Sequence, residues 1–212
     1  MAVRARRRPY APRLPPAERR EQLLDSTLTI ITEEGYEAVS MESIARRAGV
    51  TRPVVYGAFS NLALLLAALF KREEERALGQ LAQIVPPEPD ERDPDRIVVE
   101  GLKAFLASVA EHPQTWRLIL FPVQGTPDIV RRQVERNRAK LLAQILTLVE
   151  WGLQRRGGPS DLDPDLTARM ILNLAEESGR LVLTDPKGFP PERVTAFAER
   201  ILGAIERTEP RR

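Results

Sequence analysis

At 212 residues, 42% hydrophobic and 29% charged, the chain has an ordinary globular composition, long enough for one substantial domain or a small one fused to a larger. No apolar run approaches the ~18 residues of a membrane helix, and with no cysteine there is neither a disulfide framework nor a thiolate metal site. The net charge of +2 names no polyanionic partner, but its distribution is uneven.

Before Glu18 the chain carries Arg4, Arg6, Arg7, Arg8 and Arg13 and no acid. Pro9, Pro12, Pro15 and Pro16 stand where a signal peptide would need an apolar segment, so a cytoplasmic protein is expected. Residues 1–16 therefore read as a disordered basic arm, either a solvated tail or a segment drawn to a polyanion. From Ala17 the spacing turns helical: Leu23, Leu24, Leu28, Ile30 and Ile31 recur until Gly35 stops the first helix. Short helices follow at Met41–Ala48 and Arg52–Phe59, then a long one at Asn61–Gln83, which Pro86-Pro87-Glu88-Pro89 breaks. Further helices are predicted at Asp95–Glu111, Gln114–Phe121, Asp128–Arg156, Asp165–Thr184 and Glu192–Arg207. No alternating strand pattern with hairpin signals appears, so the fold class is all-α. The expected organisation is the arm (1–16), a helix-turn-helix domain (17–60) and a larger helical domain (61–212).

Val39 to Phe59 is the most informative stretch. Ser40 is placed to cap the helix at Met41, and Val39 with Ile44 to form a hydrophobic staple. Gly49 supplies the left-handed residue that ends that helix, and Val50 can fold back on Ala45 or Ile44. Thr51 is then expected to cap a second helix, with Pro53 in its first turn where a missing amide hydrogen costs nothing. Two helices joined by so tight a turn form a helix-turn-helix, although a generic helical corner can look alike. Val55 and Phe59, four apart, should face the core. Arg52, Pro53, Val54, Tyr56 and Gly57 would fan across the leading end and outer face, the geometry with which a recognition helix enters the major groove. Arg52 can pair with guanine and Val54 can meet a thymine methyl; the Tyr56 hydroxyl can reach a phosphate.

The segment Glu21–Leu66 resembles the DNA-binding domain of the TetR family. The resemblance is carried by Gln22-Leu23-Leu24-Asp25-Ser26, Gly35-Tyr36-Glu37-Ala38-Val39-Ser40, and above all Ser43-Ile44-Ala45-Arg46-Arg47-Ala48-Gly49-Val50-Thr51-Arg52-Pro53-Val54-Val55-Tyr56 with Phe59. It covers about the first third of the chain; beyond it only helix order and length are similar. It implies a bacterial transcriptional regulator, a repressor released by a small effector, with Ser40, Thr51 and Tyr56 on phosphates and Arg52, Pro53 and Val54 at the base-reading edge. Three positions depart from the family pattern. Gly57 stands where an aromatic is common, Ala58 where a His or polar residue is common, and Leu62 where a backbone-contacting Lys is usual. Glu42 is unfavourable near DNA unless it accepts from a cytosine amino group. A missing phosphate contact weakens binding and flattens its salt dependence; Arg6, Arg7 and Arg8 of the arm are the expected compensation.

A helix-turn-helix regulator usually works as a dimer on two half-sites. Val194, Phe197, Ala198, Ile201, Leu202 and Ile205 form one apolar stripe, and Leu166, Met170, Ile171, Leu174 and Leu181 another. Either packs on its own subunit or, as the resemblance implies, builds an intersubunit four-helix bundle. The expected interface is Leu174, Leu181, Val194, Phe197, Ile201, Leu202 and Ile205. For an effector, Phe105, Trp116, Phe121 and Trp151 either line a cavity or are plain core, and Gln144, Asn173 and Glu176 either orient a ligand or are satisfied by neighbours. No cofactor, metal or membrane partner is expected, and no catalysis: the lone His112 precedes Pro113 and no nucleophile elbow, phosphate loop or metal-ligand cluster appears. A DNA-bound dimer acting through a protein partner or organising the chromosome is the alternative to repression.

Overall fold

The computed structural model describes residues 14–84, 92–121, 128–157, 159 and 161–205. The helices are α1 (Pro16–Glu34), α2 (Met41–Ala48), α3 (Arg52–Ala58), α4 (Leu62–Ile84), α5 (Pro94–Glu111), α6 (Pro113–Leu120), α7 (Asp128–Arg156), α8 (Pro164–Thr184) and α9 (Pro191–Ala204). A 3-10 turn at Tyr36–Ala38, absent from the sequence expectation, links α1 to α2. No strand occurs among the described residues, so the fold is all-α. The arm residues Arg4, Arg6, Arg7, Arg8 and Arg13 lie outside the described residues.

Proline punctuates these helices. Pro16, Pro94, Pro113, Pro164 and Pro191 each hold the first helical position, where no amide donor is needed. Each of these helices therefore begins one residue before its predicted start. Asp93 and Asp163 cap the residues that follow, accepting from Asp95 N and from Leu166 N. The last helix ends at Ala204, short of the expected Arg207.

The chain divides into two compact units at Leu69/Phe70, inside α4 and not at its start. The reason is burial: Leu65, Leu66 and Leu69 from the first turns of α4 join the buried set of the first unit.

In the second unit α5 is the hub, with α6, α7, α8 and α9 packed against it. Its core joins Phe105, Leu106 and Val109 of α5 to Ala77, Trp116, Leu120, Val182 and Leu183. Phe105 and Trp116 meet edge to face, with centroids 5.0 Å apart and planes at 89°. Gly179 lets α8 approach Leu120 and Phe105 closely, since an added Cβ would stand 2.8 Å from Leu120 Cδ1 and 3.1 Å from Phe105 Cζ. Gly179→Ala should overpack the site and cost about 1–3 kcal/mol. Chemical denaturation checks this; unchanged stability would show that the core yields freely there.

Candidate nucleic-acid interface and effector cavity

The first unit is built to hold α3. Ser40 accepts from Ser43 N at 3.0 Å, while Ser43 Oγ accepts from Ser40 N at 2.9 Å, a reciprocal capping box. The buried Ser43 hydroxyl also donates to Ala38 O at 2.8 Å, locking the 3-10 turn onto α2. Val39 and Ile44 are both buried, as a staple requires. Gly49 is left-handed (φ 67), and Val50 N donates to Ala45 O at 3.0 Å to close the turn.

Thr51 departs from expectation: its side chain makes no capping hydrogen bond. The physical reason lies in its neighbours. Pro53 has no N–H to offer, and Val54 N donates instead to the Thr51 backbone carbonyl at 3.0 Å. The Thr51 side chain is thus exposed and not spent on the helix.

Val55 and Phe59 are buried under α3, and every other residue from Arg52 to Gly57 is exposed. Val54 and Tyr56 are 39% and 45% exposed, unusual for apolar and aromatic side chains on so short a helix. Arg52 Nη1 lies 3.9 Å from Glu42 Oε2, with both side chains largely exposed. Such a pair is worth about 0–1 kcal/mol, so a guanine can displace it.

Side chains with partners far along the chain hold this face in place. Arg20 of α1 donates to Ala58 O at the end of α3, and its guanidinium lies 4.0 Å over the Phe59 ring. Gln22 of α1 donates to Ala48 O at the end of α2, at 3.1 Å. Arg47 reaches Glu33 and Glu34 at 2.7 Å each. Asn61 lies outside α4 as its cap, accepting from Leu64 N at 2.9 Å.

The second unit holds a cavity of about 680 Å³, within the range of small-molecule sites. Phe105, Trp116, Trp151 and Glu176 line it; Phe121, Gln144 and Asn173 do not. Phe121 packs instead against the core cluster. Asn173 faces Arg138, accepting from Nη2 at 2.7 Å, and Glu176 accepts from Arg138 Nε at 2.8 Å. Gln144 is half-buried on α7, away from the lining. Spacing alone could not reveal what does build the wall: Val134, Leu141, Ile145 and Leu148 form an apolar stripe along α7 that is only half-buried. It faces the cavity.

A polar relay joins the cavity wall to α4. Trp116 Nε1 donates toward Gln80 Oε1 at 3.1 Å and Ser108 Oγ at 3.0 Å. The fully buried Glu73 of α4 accepts from Thr115 Oγ1 at 2.5 Å and from Arg72 and Arg76 at 2.8 Å each.

Of the expected dimer residues, Leu174, Phe197 and Ile201 are exposed. Leu181, Val194, Leu202 and Ile205 are half-buried, and Val194 packs on the core cluster of its own chain.

Residues 23–69, which contain this whole arrangement, match the family model for bacterial regulatory proteins of the tetR family. Over these residues the chain is similar to the DNA-binding domain of the tetR family. This N-terminal helix-turn-helix is of the kind found in bacterial regulatory proteins. The transcriptional activator FasR of Mycolicibacterium smegmatis is 36% identical over 123 residues, 58% of this chain and 55% of that protein, so the match spans about half of FasR. The regulator EthR of the same species is 25% identical over 203 residues, covering 91% of this chain and 88% of EthR. A TetR-like regulator from Rhodococcus sp. RHA1 shares the fold, with a TM-score of 0.70 at 24% identity over 91% of this chain and 100% of that one. Among the described residues no cluster of three or more His, Cys, Asp or Glu could hold a metal ion, and no single helix is long and apolar enough to cross a membrane.

The caps separate two serine/threonine roles within this TetR-like head. Ser40→Ala should lose the capping box and about 1 kcal/mol of stability. Thr51→Ala should leave stability within about 0.5 kcal/mol. Urea denaturation of both variants checks the contrast; equal losses would contradict the cap assignment.

Proposed function

We propose that the chain is a repressor acting as a homodimer on double-stranded operator DNA, released when a small, mainly apolar effector enters the second unit. The observation that carries this is the sidedness of α3: Val55 is buried while Arg52, Pro53, Val54 and Tyr56 stand exposed as one reading face. In this reading Arg52 donates to a guanine and Val54 meets a thymine methyl, with Pro53 beside them. Ser40, Thr51 and Tyr56 hold phosphates. Leu62 brings no charge to the backbone, and Arg6, Arg7 and Arg8 supply it from the arm. Two copies join through the exposed apolar face of α8 and α9.

The effector reading is supported by the cavity and by proteins of the same fold, a SmeT–triclosan complex and Bacillus subtilis FadR in complex with stearoyl-CoA. A ligand pressing on Trp116 would bear on Gln80, and through it on α4, the helix that continues into the first unit. It shifts operator affinity only by its differential binding to the two states. The printed role of FasR favours a second reading, activation from the same operator.

Selection of bound sequences from random double-stranded DNA tests the proposal. The expected product is a pseudo-palindrome with a G·C pair in each half-site. Arg52→Ala should weaken binding to it by about 1–3 kcal/mol, roughly fivefold to 150-fold in Kd, and relax that position. Removing residues 1–13 should lower affinity and reduce the salt slope. No enriched sequence would sink the operator reading, and an unchanged slope the role of the arm. Placed upstream of a reporter, the selected site should lower transcription; a rise would favour activation.

A further inference from the structure

Two polar side chains line the cavity of the second unit without a protein partner. Glu74 of α4 and Asn137 of α7 are only 7% and 8% exposed, and both border the cavity. Among the described residues neither makes a side-chain hydrogen bond or an ion pair. Helical spacing turns them inward: Glu74 stands in register with Ala77 and Leu81, and Asn137 with Val134 and Leu141, all of which line the cavity. The other charged groups of the lining are matched. Arg156 meets Asp95 at 2.7 Å, Arg138 meets Glu176 at 2.8 Å, and Arg180 donates to Glu177 at 3.1 Å and to Leu120 O at 3.0 Å. Glu74 is thus the unmatched charge of the wall among the described residues. A carboxylate taken from water without donors or a counter-charge is costly, and a ligand that supplies both recovers that cost.

We propose that the cavity takes a cationic amphiphile, an apolar body carrying one protonated amine whose N–H groups donate to the Glu74 carboxylate and the Asn137 side-chain carbonyl. This rests on the effector reading above and adds to it the charge of the ligand and the place of its head. The two acceptors belong to one end of the cavity. Glu74 is one turn from Ala77, which packs with Phe105 and Trp116. Arg138, beside Asn137, is held by Glu176, whose neighbour Ala175 packs on that same cluster. The matched Asp95–Arg156 pair marks the other end, about 16 Å away along α5. A head seated at Glu74 therefore leaves the tail to run along the apolar stripe of α7.

The chemistry of the wall ranks the alternatives. An anionic head would meet the Glu74 carboxylate and find Arg138 and Arg180 already engaged by carboxylates. An alcohol can donate one hydrogen bond but leaves the charge uncompensated. An ammonium brings three donors and the opposite charge.

Decylamine, decanol and decanoate share one tail and differ in the head, so they test this ranking directly. Each is titrated against Nile red bound to the full-length protein, at neutral pH and below its micelle concentration, with wild type and with Glu74→Gln; circular dichroism follows folding. Decylamine should bind the wild type at least about tenfold more tightly than decanol, with decanoate weakest. Glu74→Gln keeps the shape and removes the charge, so decylamine should fall to the level of decanol while decanol stays nearly unchanged. The melting temperature of this variant should not drop, because no contact of the unliganded chain is lost. Equal affinities in the wild type, or a preference for decanoate, would overturn the cationic head and leave the apolar effector reading intact. An amine preference that survives Glu74→Gln, or a variant that melts lower, would overturn the assignment to Glu74. Failure of Nile red and of all three decyl compounds to bind would overturn the effector reading itself, and this proposal with it.

Discussion

A helix of seven residues has almost no stability of its own, since its nucleation cost is not recovered in so few hydrogen bonds. Everything this protein can read on DNA depends on α3 being held in one orientation by burial of Val55 and Phe59. Those two residues settle which face is hidden, and therefore which side chains remain outside. The other devices of the first unit serve that constraint. The capping box and Gly49 set where α2 starts and stops. Arg20 and Gln22, both on α1, bind the carbonyl ends of α3 and α2. Rotating α3 would expose Val55 and break the Arg20 contact together.

The second unit follows the opposite logic on one of its faces. On one side of α5 the aromatic and aliphatic side chains pack tightly, as the contact of Phe105 with Trp116 and the close approach at Gly179 show. Across the cavity, α7 lines the wall with an apolar stripe, Val134, Leu141, Ile145 and Leu148. An apolar void of this kind leaves its lining without dispersion contacts that a ligand can restore. Trp116 belongs to both regions: one side is core, another is cavity wall, and its indole N–H is tied through Gln80 to α4.

The helices were legible because their signals are local: Gly49 and the prolines announce boundaries, and helical spacing of Leu and Ile announces buried faces. Met41–Ala48 and Asp128–Arg156 have the predicted limits for this reason. The exposed face of α3 was legible too, since Val55 and Phe59 are four apart and both are buried. The Thr51 cap was misjudged because its outcome depends on competition between a side-chain oxygen and a backbone carbonyl for one N–H. The contacts of Arg20 and Gln22 with α3 and α2, and of Glu73 with Thr115, were not legible, because the partners lie far along the chain and surface-type residues give no pattern. The cavity residues were legible only in part. Phe121 and Trp116 look alike in sequence, and only the three-dimensional packing separates a core aromatic from one that borders a void. Asn173 faces Arg138, a pairing across two helices that no spacing rule encodes.

The central claim is that one chain joins a DNA-reading head to an apolar cavity and that the two sites are coupled. The most direct measurement is the affinity of the full-length protein for Nile red, taken with and without a saturating amount of its selected DNA site. The account predicts that DNA weakens Nile red binding, and that Nile red weakens DNA binding by the same factor, as linkage requires. Identical Nile red affinities with and without DNA would show two independent sites and contradict it.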